Sequence, residues 1–131
     1  MKPVRTFLQN TRLIDESQRP DMNEIMAATD AIITDYSTAI FEGYLTGQPG
    51  FIYADDIDEY VSDRGALMFA LDEIPFSVAR NNDELVENVL GFDTEEYEER
   101  RKAFIENVGS AEDGKASERV VELVLIPQKS F

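Results

Sequence analysis

Apolar residues in this chain fall into two kinds of block. The first kind is short and continuous: Ala31–Thr34, Phe51–Tyr53 and Phe76–Ala79 each carry three or four apolar or small residues between polar flanks. Such runs predict strands of a parallel sheet, buried on both faces. Leu13–Asp15 predicts a further short strand. The second kind is spaced for one face of a helix: Met22, Ile25, Met26 and Thr29; Ile40, Phe41, Tyr44 and Leu45; Leu85, Val86, Val89 and Leu90; Tyr97, Phe104, Ile105 and Val108; Ala116, Val120, Val121 and Val124. Stop signals follow at Gly47, Gly91, Gly109 and Pro127. Asp21 with Glu24, and Asn81 with Glu84, have the spacing of a capping box, and Asp113 is placed to cap the last helix. Residues 54–74 are acidic and irregular, with a helical turn expected near Asp58.

Strand and helix alternate over the first 90 residues, which predicts an α/β fold with helices on both faces of a Rossmann-like parallel sheet, three layers in all. The last two helices, over about 93–126, are expected to pack on it or to reach toward a neighbouring domain. The length, 131 residues, suits one domain with one core.

Composition narrows the chemistry. Twelve Lys and Arg stand against 27 Asp and Glu, a net charge of −15. A chain this acidic repels nucleic acid unless a basic patch intervenes, and the Arg100–Lys102 run is embedded among acids. No Cys and no His are present. A thiol nucleophile, a Ser-His-Asp triad and a His-ligated metal site therefore cannot be built from this chain alone. No metal and no cofactor are expected. Asp55, Asp56, Asp58 and Glu59 read either as a site for a hard cation or as a solvated acidic loop; their spacing is not that of an EF-hand. No apolar run approaches the roughly 18 residues that span a bilayer, and Met1–Arg5 opens no apolar signal core.

The stretch "ITDYSTAIFE", Ile33–Glu42, concentrates polar groups where a strand gives way to a helix. With Ala31–Thr34 as strand and Ser37 opening the helix, Asp35–Thr38 lie at the carboxyl end of a parallel strand, the edge where open α/β sheets bind ligands. Helix N–H groups and the Ser37 and Thr38 hydroxyls can hold a diphosphate there without Lys or Arg. Glu42, one turn further in, can accept from ribose or glycerol hydroxyls. The other reading is purely structural: Ser37 is an N-cap, with Tyr36 and Phe41 as a hydrophobic staple around it.

The segment "ATDAIITDYSTAIFEGYLTGQP" resembles the TDYSS-containing segment of the CDP-glycerol glycerophosphotransferases, the enzymes of teichoic acid polymer synthesis. "YADDIDEYVSDRGALMF", "PFSVARNNDELVENV" and "EDGKASERVVELV" resemble later segments of that family, so the likeness runs from about Asp21 to Val124. It implies part of the C-terminal, donor-binding domain of a glycosyltransferase-B fold, a cytoplasmic location or a peripheral one at the inner membrane face, and CDP-glycerol as donor. The family's reaction transfers glycerol phosphate to a lipid-linked acceptor and releases CMP. By this resemblance Ser37 and Thr38 contact the donor phosphates beside Asp35, and Glu42 stands in the place of the family's Asp. Arg64 is a phosphate partner or offsets Asp55, Asp56 and Asp63.

The family's histidines and its N-terminal domain have no counterpart in these residues, so the chain alone is expected to be inactive and its catalytic residues are unknown. The missing strands leave an apolar sheet edge, which predicts pairing with the Leu13 segment, a homo-oligomer, or cover from the absent part of such an enzyme. Two other functions stay open: a non-catalytic interaction module, and the donor domain of a different nucleotide-sugar transferase.

Overall fold

The computed structural model describes residues 13–125. Nine elements follow one another: α1 (Met22–Ala27), β1 (Ile32–Thr34), α2 (Ile40–Leu45), β2 (Gly50–Tyr53), α3 (Ile57–Arg64), β3 (Ser77–Ala79), α4 (Asn82–Leu90), α5 (Thr94–Val108) and α6 (Ala116–Leu125). The sheet is parallel throughout, in the order β1-β2-β3. Ile32 lies opposite Gly50, and Ile52 opposite Val78.

Alternation along the strands sorts the side chains onto two faces. Ile32, Gly50, Ile52, Phe76 and Val78 share one face, and α2, α3 and α5 complete the core there with Ile40, Tyr44, Ile57, Tyr97 and Phe104. Gly50 makes the close approach possible. A Cβ at this position would stand 2.7 Å from the Phe76 ring and 3.0 Å from Ile40 Cδ1. Gly43, on α2, is packed as tightly against Ile32. Phe41 stands among four other aromatic rings, those of Tyr44, Phe69, Phe76 and Phe104, at centroid distances of 5.4–6.1 Å. On the opposite face, Phe51 is buried and meets Phe92 edge-on at 5.7 Å, and α4 packs across β2 and β3.

Caps follow the sequence closely. Asn81 accepts from the Glu84 amide at 3.0 Å. Asp93 accepts from the amides of Glu95 and Glu96. Gly109 closes α5 in the left-handed region, at φ 65°. Asp21 caps α1 through the Asn23 amide rather than through Glu24. Away from the strand ends, Gln48 ties α1 to the core. Its side-chain amide donates to the carbonyls of Met26 (2.7 Å) and Thr29 (2.5 Å), while its own carbonyl accepts from the Tyr97 hydroxyl at 2.7 Å. Burial pushes the Tyr97 phenol up to about 12 from its ordinary 10.0.

Three expectations are corrected. Leu13 and Ile14 form no strand. They are 51% and 79% exposed and Asp15 turns the chain by accepting from the Ser17 amide, so the outer edge of β1 has no strand partner among the described residues. The acidic stretch after β2 contains a full two-turn helix, α3, rather than a single turn near Asp58. The final helix leaves Val120, Val121, Leu123 and Val124 more than half exposed; Asp113 holds the Lys115 amide and the Arg119 guanidinium just before it. Its expected stop before Pro127 lies outside the described residues.

Gly50→Ala should destabilise the fold by about 1–3 kcal/mol through overpacking against Phe76 and Ile40, read as a lower urea midpoint at unchanged slope; an unchanged midpoint would refute the packing account. Tyr97 gives a pH dependence. A phenol whose folded pKa is raised binds its proton more tightly in the native state, so its stability contribution is intact below 10.0 and is lost as pH rises through about 12. Unfolding free energy should therefore fall across that window, and Tyr97→Phe should flatten the fall.

Candidate functional site

At the carboxyl end of β1 the chain does not pass directly into helix. Asp35 Oδ1 accepts from the Ser37 amide at 3.1 Å and from Thr34 Oγ1 at 3.4 Å. That bond holds Ser37 in a turn. Ser37 Oγ then accepts from the Ala39 amide at 3.3 Å, and the amides of Ile40, Phe41 and Glu42 bond three residues back. The helix proper begins at Ile40, three residues later than the sequence predicted, because the carboxylate of Asp35 competes for the first amide. Ser37 is thus not the N-cap of α2, which is Ala39 without a side-chain cap bond; Ser37 closes the entry turn instead, and it is exposed, as is Thr38.

These residues border a cleft of about 60 Å³ with Asp35 and Tyr36 on one side and Leu67, Phe69 and Leu71 on the other. Ile40, Phe41 and Ile52 form its apolar floor. The far wall was not foreseen, since residues 54–74 read as an acidic loop. The available signal was the continuous apolar run Ala66–Leu71.

Tyr36 borders the cleft and also reaches the loop after β2. Its hydroxyl donates to Asp56 Oδ1 at 2.7 Å and its ring lies 4.1 Å from that of Tyr60. Desolvation first, then the hydrogen bond and charge of Asp56, then the charges of Asp55 and Asp35, push the phenol well above its ordinary range. Tyr36 is thus bonded to the start of α3, while Phe41 belongs to the aromatic core. Asp56, read from sequence as part of a cation site or a solvated loop, serves as an acceptor. No group of three or more acidic side chains placed to hold a metal occurs among the described residues.

The structure brings Asp35, Ser37 and Thr38 together and separates the other two candidates from them. Glu42 is exposed and borders a different cleft, of about 270 Å³, with Asn23, Met26, Gly43 and Gln48. Arg64 ends α3, exposed, and borders neither cleft. No described helix is long and apolar enough to cross a membrane.

A parallel sheet with a hydroxyl-bearing turn at its carboxyl edge puts this chain in the Rossmann-like class. Comparison with known proteins makes the assignment specific. The model of the CDP-glycerol:poly(glycerophosphate) glycerophosphotransferase family matches residues 2–126. The chain is 34% identical over 116 residues to a teichoic acid poly(ribitol-phosphate) polymerase of Bacillus spizizenii, covering 88% of this chain and 18% of that protein. It is 32% identical over 113 residues to a teichoic acid glycerol-phosphate transferase of Staphylococcus aureus, covering 84% and 29%. Among solved structures it superposes on the wall teichoic acid polymerase TagF with a TM-score of 0.68 at 31% identity, over 84% of this chain and 28% of that one. The chain belongs to the CDP-glycerol:poly(glycerophosphate) glycerophosphotransferase family. The match to TagF bears out the expected fold class, a portion of a glycosyltransferase-B fold. The chain spans less than a third of the length of each of these relatives.

Asp35→Ala should free the Ser37 amide and speed its hydrogen exchange by roughly five- to tenfold, the equivalent of one ordinary hydrogen bond. The amides of α5 should exchange as before. Equal protection of Ser37 in both proteins would show that Asp35 does not hold the turn.

Proposed function

We propose that the turn Asp35–Thr38 is the donor-phosphate subsite of a glycerophosphotransferase-type enzyme, and that this chain is the part of its donor-binding domain that carries it. The observation that carries the reading is the pair of exposed hydroxyls, Ser37 and Thr38, at the carboxyl edge of a parallel sheet in a chain of this family. Hydroxyl and backbone donors suit a diphosphate, and their pull is local, so they work inside a chain of net charge −15. The donor that the reading favours is CDP-glycerol.

Size limits what this turn does by itself. A cleft of about 60 Å³ admits a phosphate-sized group, whereas sites that enclose a whole ligand are roughly 300–1,000 Å³. The nucleoside and the acceptor would therefore be held by walls that these 131 residues do not supply. With no histidine in the chain, the proton transfers would fall to the same missing walls. The same reasoning gives Glu42 and Arg64 no direct contact with a phosphate on the turn, unless the ligand reaches around α2 or past α3. The open edge of β1 is the place where further strands, or a second copy of the chain, would pair.

Titration followed by amide NMR tests the reading. CDP-glycerol and CMP should shift Asp35–Thr38, UDP-sugars should do so more weakly, and Ser37→Ala should weaken CDP-glycerol binding about fivefold, the worth of one hydrogen bond of about 1 kcal/mol. No response of the turn at millimolar CDP-glycerol would overturn it and favour a non-catalytic interaction module.

A further inference from the structure

We infer that Tyr36 is a positioning residue for the Ser37–Thr38 turn, acting through Asp56: its hydroxyl fastens the loop after β1 to the loop after β2. This inference rests on the donor-site reading above.

The two loops leave neighbouring parallel strands at the same edge of the sheet, and the Tyr36–Asp56 bond joins them. The O–H···O distance to Asp56 is 2.7 Å, the range of a charge-assisted bond. The ring adds a second hold, lying 4.1 Å from Tyr60 at an interplanar angle of 35°. Tyr36 directly precedes Ser37, whose amide is already held by Asp35 from the other side. The turn is therefore pinned twice on its N-terminal side, at Tyr36 and at the Ser37 amide, and Ser37 and Thr38 follow directly on the pins.

A second consequence concerns charge. Asp35, Asp55 and Asp56 all act on the Tyr36 hydroxyl, so an anion on the turn approaches several carboxylates. Bonded to the phenol, the Asp56 carboxylate is committed to Tyr36 and takes no part in the lining of the cleft that Ser37 and Thr38 border. Losing the hydroxyl loosens the turn and frees that carboxylate to swing. Both effects weaken an anionic ligand.

The test uses the full 131-residue chain, with CDP-glycerol as the probe. Tyr36→Phe removes the hydroxyl and keeps the ring. We expect the Ser37 and Thr38 amide resonances to move in the ligand-free protein and CDP-glycerol affinity to fall about tenfold, in keeping with a hydrogen bond to a charged group. Asp56→Ala should move the same resonances but cost less affinity, because it removes the carboxylate that Tyr36→Phe sets free, and the double variant should lose no more than Tyr36→Phe alone. Tyr44→Phe is the control: its hydroxyl donates to the Arg101 carbonyl at 3.3 Å, so its loss should lower stability and leave the turn's resonances in place. Should the unsubstituted chain ignore CDP-glycerol while Tyr36→Phe still moves the turn, the donor reading fails and the fastening stands. Unmoved Ser37 and Thr38 resonances in Tyr36→Phe, or additive losses in the double variant, would overturn the inference itself.

Discussion

Everything at the carboxyl edge depends on how closely α2 sits on the sheet. Gly50 leaves room for Ile40 and Phe76 to meet above β2, and Gly43 lets α2 come down onto Ile32. Phe41 then fills the space among four other rings. A helix of six residues has little stability of its own. Its place is set by this packing, at about 0.5–1.5 kcal/mol for each well-placed aromatic pair beyond simple burial. The turn that precedes it inherits that rigidity. α5 reinforces the arrangement from outside: Arg101 holds Glu98 at 2.8 Å and exchanges weaker bonds with Tyr44, so the far end of α2 is held as well.

The electrostatics of the site run against those of the chain as a whole. At a net charge of −15, long-range attraction of a nucleotide is absent, so any hold on phosphate comes from donors in direct contact. The turn spends several of its own amides on internal bonds, to Asp35 and to Ser37, which leaves the exposed hydroxyls as its most available donors. This is a less generous cradle than a helix opening at Ser37 would have made. It suits one phosphate-sized contact within a larger enclosure better than a self-sufficient nucleotide pocket.

The sequence was most legible where one local signal settled the structure. Gly109 closes α5 at the residue expected, and Asn81 and Gly91 bracket α4. The strands at Ile32–Thr34, Gly50–Tyr53 and Ser77–Ala79 fell where continuous apolar runs placed them. What escaped needed a partner to be known. Leu13–Ile14 looks like a strand, but a strand exists only beside another, and none pairs with it here. Glu42 was grouped with Ser37 on the assumption that the helix began at Ser37; the Asp35–Ser37 bond delays the start, and Glu42 borders a separate cleft. Tyr36 suited a staple with Phe41 by spacing, yet its hydroxyl found an acceptor twenty residues away, a pairing that no local pattern encodes. The apolar wall of Leu67, Phe69 and Leu71 was hidden by the acids around it.

The most direct test of the account is a crystal structure of this chain with CDP-glycerol. The account predicts diphosphate oxygens within hydrogen-bonding distance of the Ser37 and Thr38 hydroxyls, with Tyr36 still bonded to Asp56. Density for the diphosphate in the Glu42 cleft, or anywhere that leaves both hydroxyls facing solvent, would contradict it.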